Sequence, residues 1–215
     1  MGFPSLAVPM PTFPFERIVA WRASWTADPA DARAFARLAG ARVAEVVREL
    51  TLGGDPRGRR VVVLTRDTGP DDVGASAGAW LRAWGALVQV TEPTEAALAA
   101  LDADLDLVLD AVGGLTRGES AAALRRMMDV LAPVISIDRP SGVDFDGGVV
   151  EPLSVRAVAT VALGLVSDEL VNPDVSDAVG EVYVVDVGLD ERFWAEAGDA
   201  EAAFGFCEGS VARVR

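Results

Sequence analysis

Arg60-Val61-Val62-Val63-Leu64-Thr65 restricts the fold more than any other stretch of this chain. It is short, β-branched and apolar, with no alternation. A strand with one wet face alternates apolar and polar residues; one that does not is covered on both faces, as in parallel sheets flanked by helices. Further strands are expected at Ala86–Thr91, Leu105–Val112, Val134–Asp138, Ala157–Leu163 and Glu181–Val187. Helices are expected between them, at Gly74–Trp84, Thr94–Leu101 and Glu119–Leu131.

Ahead of these strands, Asp28 is placed to cap a long helix with Pro29 at its first position. Phe35, Leu38, Ala39, Val43, Val46 and Val47 recur there at helical spacing as far as Leu50, and Gly53-Gly54-Asp55-Pro56-Arg57-Gly58 is a turn. A short helix over Phe15–Ser24 follows an extended, proline-bearing arm. The expected architecture is a three-layer α/β/α, Rossmann-like, mostly parallel sheet with an N-terminal helical arm. One domain over 1–215 is expected: arm and helices over 1–52, a Rossmann-like core over 58–190 and a tail over 191–215. A chain of 215 residues, 51% hydrophobic, suits one sizeable core.

All 19 basic residues are Arg; the chain contains neither Lys nor His. That excludes a Ser-His-Asp triad, His-ligated zinc, a Walker lysine and Schiff-base chemistry. Cys207 is the single cysteine, which excludes an intrachain disulfide and a cysteine metal cluster and fits a reducing cytoplasm. Without a base to activate it, Cys207 reads as a buried or tail residue rather than a nucleophile. A net charge of -14 argues against nucleic acid and anionic membranes as partners. The apolar stretch Ala157–Val166 is too short to span a bilayer, which needs ~20 residues. Met1–Pro14 has no basic region, so no signal peptide is expected.

In open parallel sheets, ligands bind beyond the carboxyl ends of the strands. Three loops qualify: Arg66–Gly74, Asp110–Gly118 and Asp138–Gly148. In the last, Asp138 stands at a strand end, Pro140 and Gly142 set a sharp turn and Ser141 offers a hydroxyl. The residues alone fit a ligand site or an Asx/Ser turn satisfying its own backbone. Asp110 and Asp138, on adjacent strand ends, are placed to share a cation or a proton; Asp110 fits a loop-capping carboxylate equally. Asp71-Asp72 reads as a solvated turn or helix cap, with a metal role the lesser reading. Trp80 and Trp84, at i and i+4, read as core rather than a stacking platform.

Asp138-Arg139-Pro140-Ser141-Gly142-Val143-Asp144 resembles the Asp-x-Pro-Ser-Gly-x-Asp signature of the NAD(P)H-hydrate epimerase family, the YjeF N-terminal domain. Asp106–Ala111 resembles that family's strand ending in Asp-Ala, and Val179–Leu189 its closing strand. The resemblance implies interconversion of the C6 epimers of hydrated NADH or NADPH. It makes Asp138 the catalytic, substrate-contacting carboxylate. It places Gly69, Asp72, Gly74, Gly113, Gly114 and Gly142 with Asp138 around the nucleotide, and makes Asp110 and Ser141 ligands of a potassium ion. An NAD(P)H-hydrate dehydratase partner and a homodimer go with it.

Three departures bear on activity. Thr68-Gly69-Pro70-Asp71-Asp72-Val73-Gly74 replaces the family's Gly-Asn-Asn-Gly-Gly-Asp-Gly loop, so an asparagine ligand of the ion has no counterpart and Pro70 removes a backbone donor. The family's Gly-Thr-Gly loop is reduced to Gly113-Gly114-Leu115-Thr116, and Ser167 stands near the place of a family lysine. Asp71 and Asp72 are expected to repel a pyrophosphate, with Arg66 or Arg117 placed to offset them. A binding or scaffold module on the same fold is the alternative. A dinucleotide-dependent oxidoreductase is disfavoured, because no Gly-x-Gly-x-x-Gly follows the first strand.

Overall fold

A computed structural model of the chain describes residues 3–5, 10–94, 96–97, 104–113, 129, 131–144, 149–150, 154–189 and 210–214. The first strand of the main sheet in chain order, β2 (Arg60–Thr65), is buried on both faces as its composition demands. Val61 and Val63 enter one apolar cluster, Val62 and Leu64 another on the opposite side. Each such side chain contributes about 1.5–3 kcal/mol by leaving water.

Parallel to β2 run β3 (Leu87–Thr91), β4 (Leu107–Ala111), β5 (Val134–Ile137), β8 (Ala159–Leu163) and β10 (Glu181–Val185). Among the described residues the sheet is completed by β11 (Val211–Arg213) and has the order β11-β10-β8-β5-β4-β2-β3. The edge strand β11 pairs antiparallel with β10. The expected tail thus supplies a sheet strand, which a run of only three residues did not announce. The α/β, Rossmann-like, mostly parallel class is the one the apolar runs called for.

Among the described residues, two helices cover one face. α2 (Pro29–Leu50) begins where Asp28 accepts a hydrogen bond from Ala30 N at 2.7 Å, and α3 (Val73–Ala83) packs against it. Trp80 and Trp84 pack against the same core, their ring centres 6.0 Å apart. The helices expected over 94–101 and 119–131 fall largely outside the described residues, as does Cys207.

The N-terminal arm is stitched to the far half of the chain. β1 (Thr12–Phe13) pairs in parallel with β9 (Val166–Ser167). Ser5 bridges Arg213, whose N–H donates to Pro4 O at 2.9 Å. α1 (Phe15–Trp25) is seated by Ile18, which is buried with Phe13 and Leu165 while Trp21 and Trp25 pack alongside. A hairpin of β6 (Val143–Asp144) and β7 (Val149–Val150) follows β5. No helix among the described residues is long and apolar enough to cross a membrane.

Candidate functional site

Parallel register brings the three selected loops to one end of the sheet. Leu64 stands opposite Asp110 and Thr65 opposite Ala111, while Asp110 stands opposite Ser136, two residues before Asp138. The two carboxylates nevertheless have separate surroundings.

Asp110 is fully buried and accepts four hydrogen bonds. Ser141 N at 2.8 Å and Ser136 Oγ at 3.1 Å reach one oxygen; Ser141 Oγ at 2.8 Å and Val112 N at 3.4 Å reach the other. Burial pushes its pKa up, and these donors pull against that rise. The arrangement fastens the loop after β5 onto the end of β4, as a loop-capping carboxylate does. Gly142, in the left-handed region at φ 86°, permits the turn that turns Ser141 back onto Asp110.

The residues present do not fit the potassium ion that the resemblance implies. The four acceptor positions of Asp110 are filled by protein donors, and the Ser141 hydroxyl spends its proton there. The neighbouring carbonyls also take cations: Arg66 Nε donates to Val112 O at 3.0 Å, and Arg139 to Gly113 O at 3.3 Å. Two guanidinium groups at these carbonyls oppose a further positive charge. Among the described residues, no group of three or more His, Cys, Asp or Glu is placed to hold a metal.

Asp138 sits where β5 ends, at φ 58°. A non-glycine residue in that region carries backbone strain, tolerated best by Asp and Asn. Its N–H donates to Val161 O at 2.8 Å. Its carboxylate is gripped by Arg22 from α1: NH1 reaches Oδ2 at 2.5 Å and NH2 reaches Oδ1 at 3.1 Å, with Leu163 N on Oδ1 at 3.2 Å. The side chains are 19% and 12% exposed, so this pair is poorly screened. Asp110 and Asp138 therefore share neither proton nor cation here; each has its own donors. Arg22 escaped the sequence reading because it lies 116 residues from its partner, on a helix whose spacing marks no site.

In the loop after β2, each predicted binding residue has an internal role. Gly69 N donates to Asp67 Oδ1 at 2.8 Å, so it is not offered to a phosphate. Asp72 caps α3 by accepting from Ala75 N at 2.7 Å, and burial pushes its pKa up. Asp71 pairs with Arg33 at 2.9 Å. The expected repulsion of a pyrophosphate by both carboxylates is thus corrected: one is neutralised by an ion pair and the other turned toward a helix start. Gly74 is a packing glycine, since a Cβ there would lie 2.4 Å from Ala111 Cβ. Gly113 is left-handed at φ 74°; Gly114 and Arg117 lie outside the described residues. Beside this loop, a groove of about 860 Å³ is lined by Thr68, Gly69, Pro70 and Trp80 with Arg33 and Arg37 from α2.

Residues 57–168 match the family described as YjeF-related protein N-terminus. The chain is 30% identical over 204 residues to an NAD(P)H-hydrate epimerase of Dehalogenimonas lykanthroporepellens, covering 82% of this chain and 81% of the relative. It is 30% identical over 130 residues to the bifunctional NAD(P)H-hydrate repair enzyme Nnr of Pyrobaculum aerophilum, and there it spans only 26% of the relative's length. Its fold is similar to the crystal structure of yeast ynu0, with a TM-score of 0.64 at 18% identity over 88% of this chain and 94% of that one.

Proposed function

Because the chain belongs to the YjeF-related N-terminal family, we propose that it is an isomerase acting on hydrated nicotinamide nucleotides, an NAD(P)H-hydrate epimerase. The observation that carries this reading is Asp138, held in a strained conformation at the end of β5 beside β4. Strain retained at a strand end of a parallel sheet is characteristic of functional positions.

In the proposed reaction the C6–O bond of the hydrate breaks. Asp138 Oδ2 first takes up a proton from solvent; the C6 oxygen leaves as water with that proton, and the lone pair of the ring nitrogen fills the electron gap at C6. Water then adds from the opposite face and returns a proton to Asp138. One carboxyl group thus serves as acid and then base, and the net change is inversion at C6. Arg37, in the groove beside the loop after β2, suits the nucleotide's phosphates. No step is routed through potassium. An NAD(P)H-hydrate dehydratase is the partner this reading implies, drawing on one epimer as the other is converted.

Loss of activity with retention of a binding role is the second reading, favoured by Gly69 N being bonded to Asp67 instead of facing a ligand. Chromatography of a single purified epimer of hydrated NADH or NADPH, mixed with the protein, separates the two. The epimerase reading requires equilibration faster than the spontaneous rate and its loss in Asp138→Asn. Equal rates for wild type, mutant and buffer would sink it and leave the binding module.

A further inference from the structure

We propose that Arg22, carried by α1 outside the family-matched segment, is the positioning residue for Asp138, fixing the carboxylate so that one lone pair of Oδ2 is left to exchange a proton with substrate. The proposal rests on the epimerase reading of Asp138. A carboxylate offers about four acceptor positions, two on each oxygen. Oδ1 takes Arg22 NH2 and Leu163 N, which fills it. Among the described residues, Oδ2 takes Arg22 NH1 alone. The two-pronged contact also fixes the plane of the carboxylate, which a single donor would leave free to rotate.

The guanidinium is itself held. Its NH2 lies 3.5 Å from Leu163 O, and its carbon lies 5.7 Å from the ring centre of Phe35 on α2. Ile18, one turn earlier on α1, is buried against Phe13 and Leu165 and anchors the helix that carries it. Among the described residues, buried Arg22 Nε has no hydrogen-bond partner. Leaving that donor unmet costs stability, so the side chain is placed for its two terminal nitrogens. Two strands and two helices thus converge on one carboxylate, and the family-matched segment supplies only the carboxylate and its strand-end neighbours.

The test uses the full chain with Arg22→Gln, Arg22→Lys and Arg22→Ala, measuring kcat and KM for epimerisation. Gln fails to bridge both oxygens as a cation, so kcat falls at least tenfold while KM stays within about threefold. Lys keeps the charge without the planar fork and recovers part of the loss. Added ethylguanidinium restores turnover to Arg22→Ala. Should the Gln variant not fold, Arg22→Lys carries the same test, with a kcat between those of wild type and Arg22→Ala. An unchanged kcat, a loss confined to KM, a gain in turnover, or equal losses in all three variants without guanidinium rescue would each overturn the proposal. A wild type that does not equilibrate the epimers instead removes the epimerase reading, and the Arg22 role with it. A double-mutant cycle with Asp138→Asn in urea then still shows whether the pair is coupled.

Discussion

Asp110 is a buried carboxylate whose pKa is raised by desolvation, against the pull of four donors. A folded-state pKa above the unfolded one means that the folded chain keeps its proton to higher pH. The stabilisation this gives is complete below the unfolded pKa and is lost as pH rises through the folded one. The stability of wild type relative to Asp110→Asn is therefore greatest at and below about pH 4 and declines as the pH rises from there. Urea midpoints of both proteins across that range check it; a difference that does not change with pH would show that Asp110 ionises as freely as in the unfolded chain. In sequence, Asp110 and Asp138 look alike, each an acidic residue closing an apolar run. What separates them is the company they keep, Ser136 and Ser141 against Arg22, and only Ser141 stands in the quoted motif. Sequence spacing carried no sign of Arg22, since a contact across 116 residues leaves no periodicity.

At the scale of elements, the start of α3 is where the loop after β2 meets the sheet. Gly74→Ala drives a methyl group into Ala111 on β4, and neither backbone yields without moving helix from strand. The expected loss is about 1–3 kcal/mol of stability, read from urea unfolding. Asp72→Ala, removing only the cap, costs about 1 kcal/mol. If Gly74→Ala proved neutral, Gly74 would be free for the ligand role that the resemblance assigns it. The long parallel strands and α2 were legible because each carries a periodic or continuous apolar pattern and recognisable end signals. β1, β9 and β11 were not, because strands of two or three residues take their identity from a distant partner. The binding loop was legible as a departure from a pattern, but Asp67, Asp71 and Asp72 acquired their roles only through Gly69, Arg33 and Ala75.

Over the whole molecule, composition set outer bounds: a chain with a net charge of -14, without Lys or His, has only Arg to place opposite its acids. Arg22, Arg66 and Arg139 therefore gather at the strand ends, among the groups where a metal was expected. The hydrogen bond from Arg213 N to Pro4 O closes the described backbone almost into a ring, with β11 and the arm lying side by side. The order in which the pieces are strung together is then nearly irrelevant to the finished shape. Joining the ends through a short flexible linker and reopening the chain at the exposed Gly53-Gly54 turn yields a circular permutant. Its α1 and α2 would follow β11 instead of preceding β2. It is expected to reproduce the circular dichroism spectrum of the natural order and to unfold in one transition. Two transitions would mean that α1 and α2 need their covalent link to β2 to dock, and that the helix bearing Arg22 is held by the chain's order and not by its own packing.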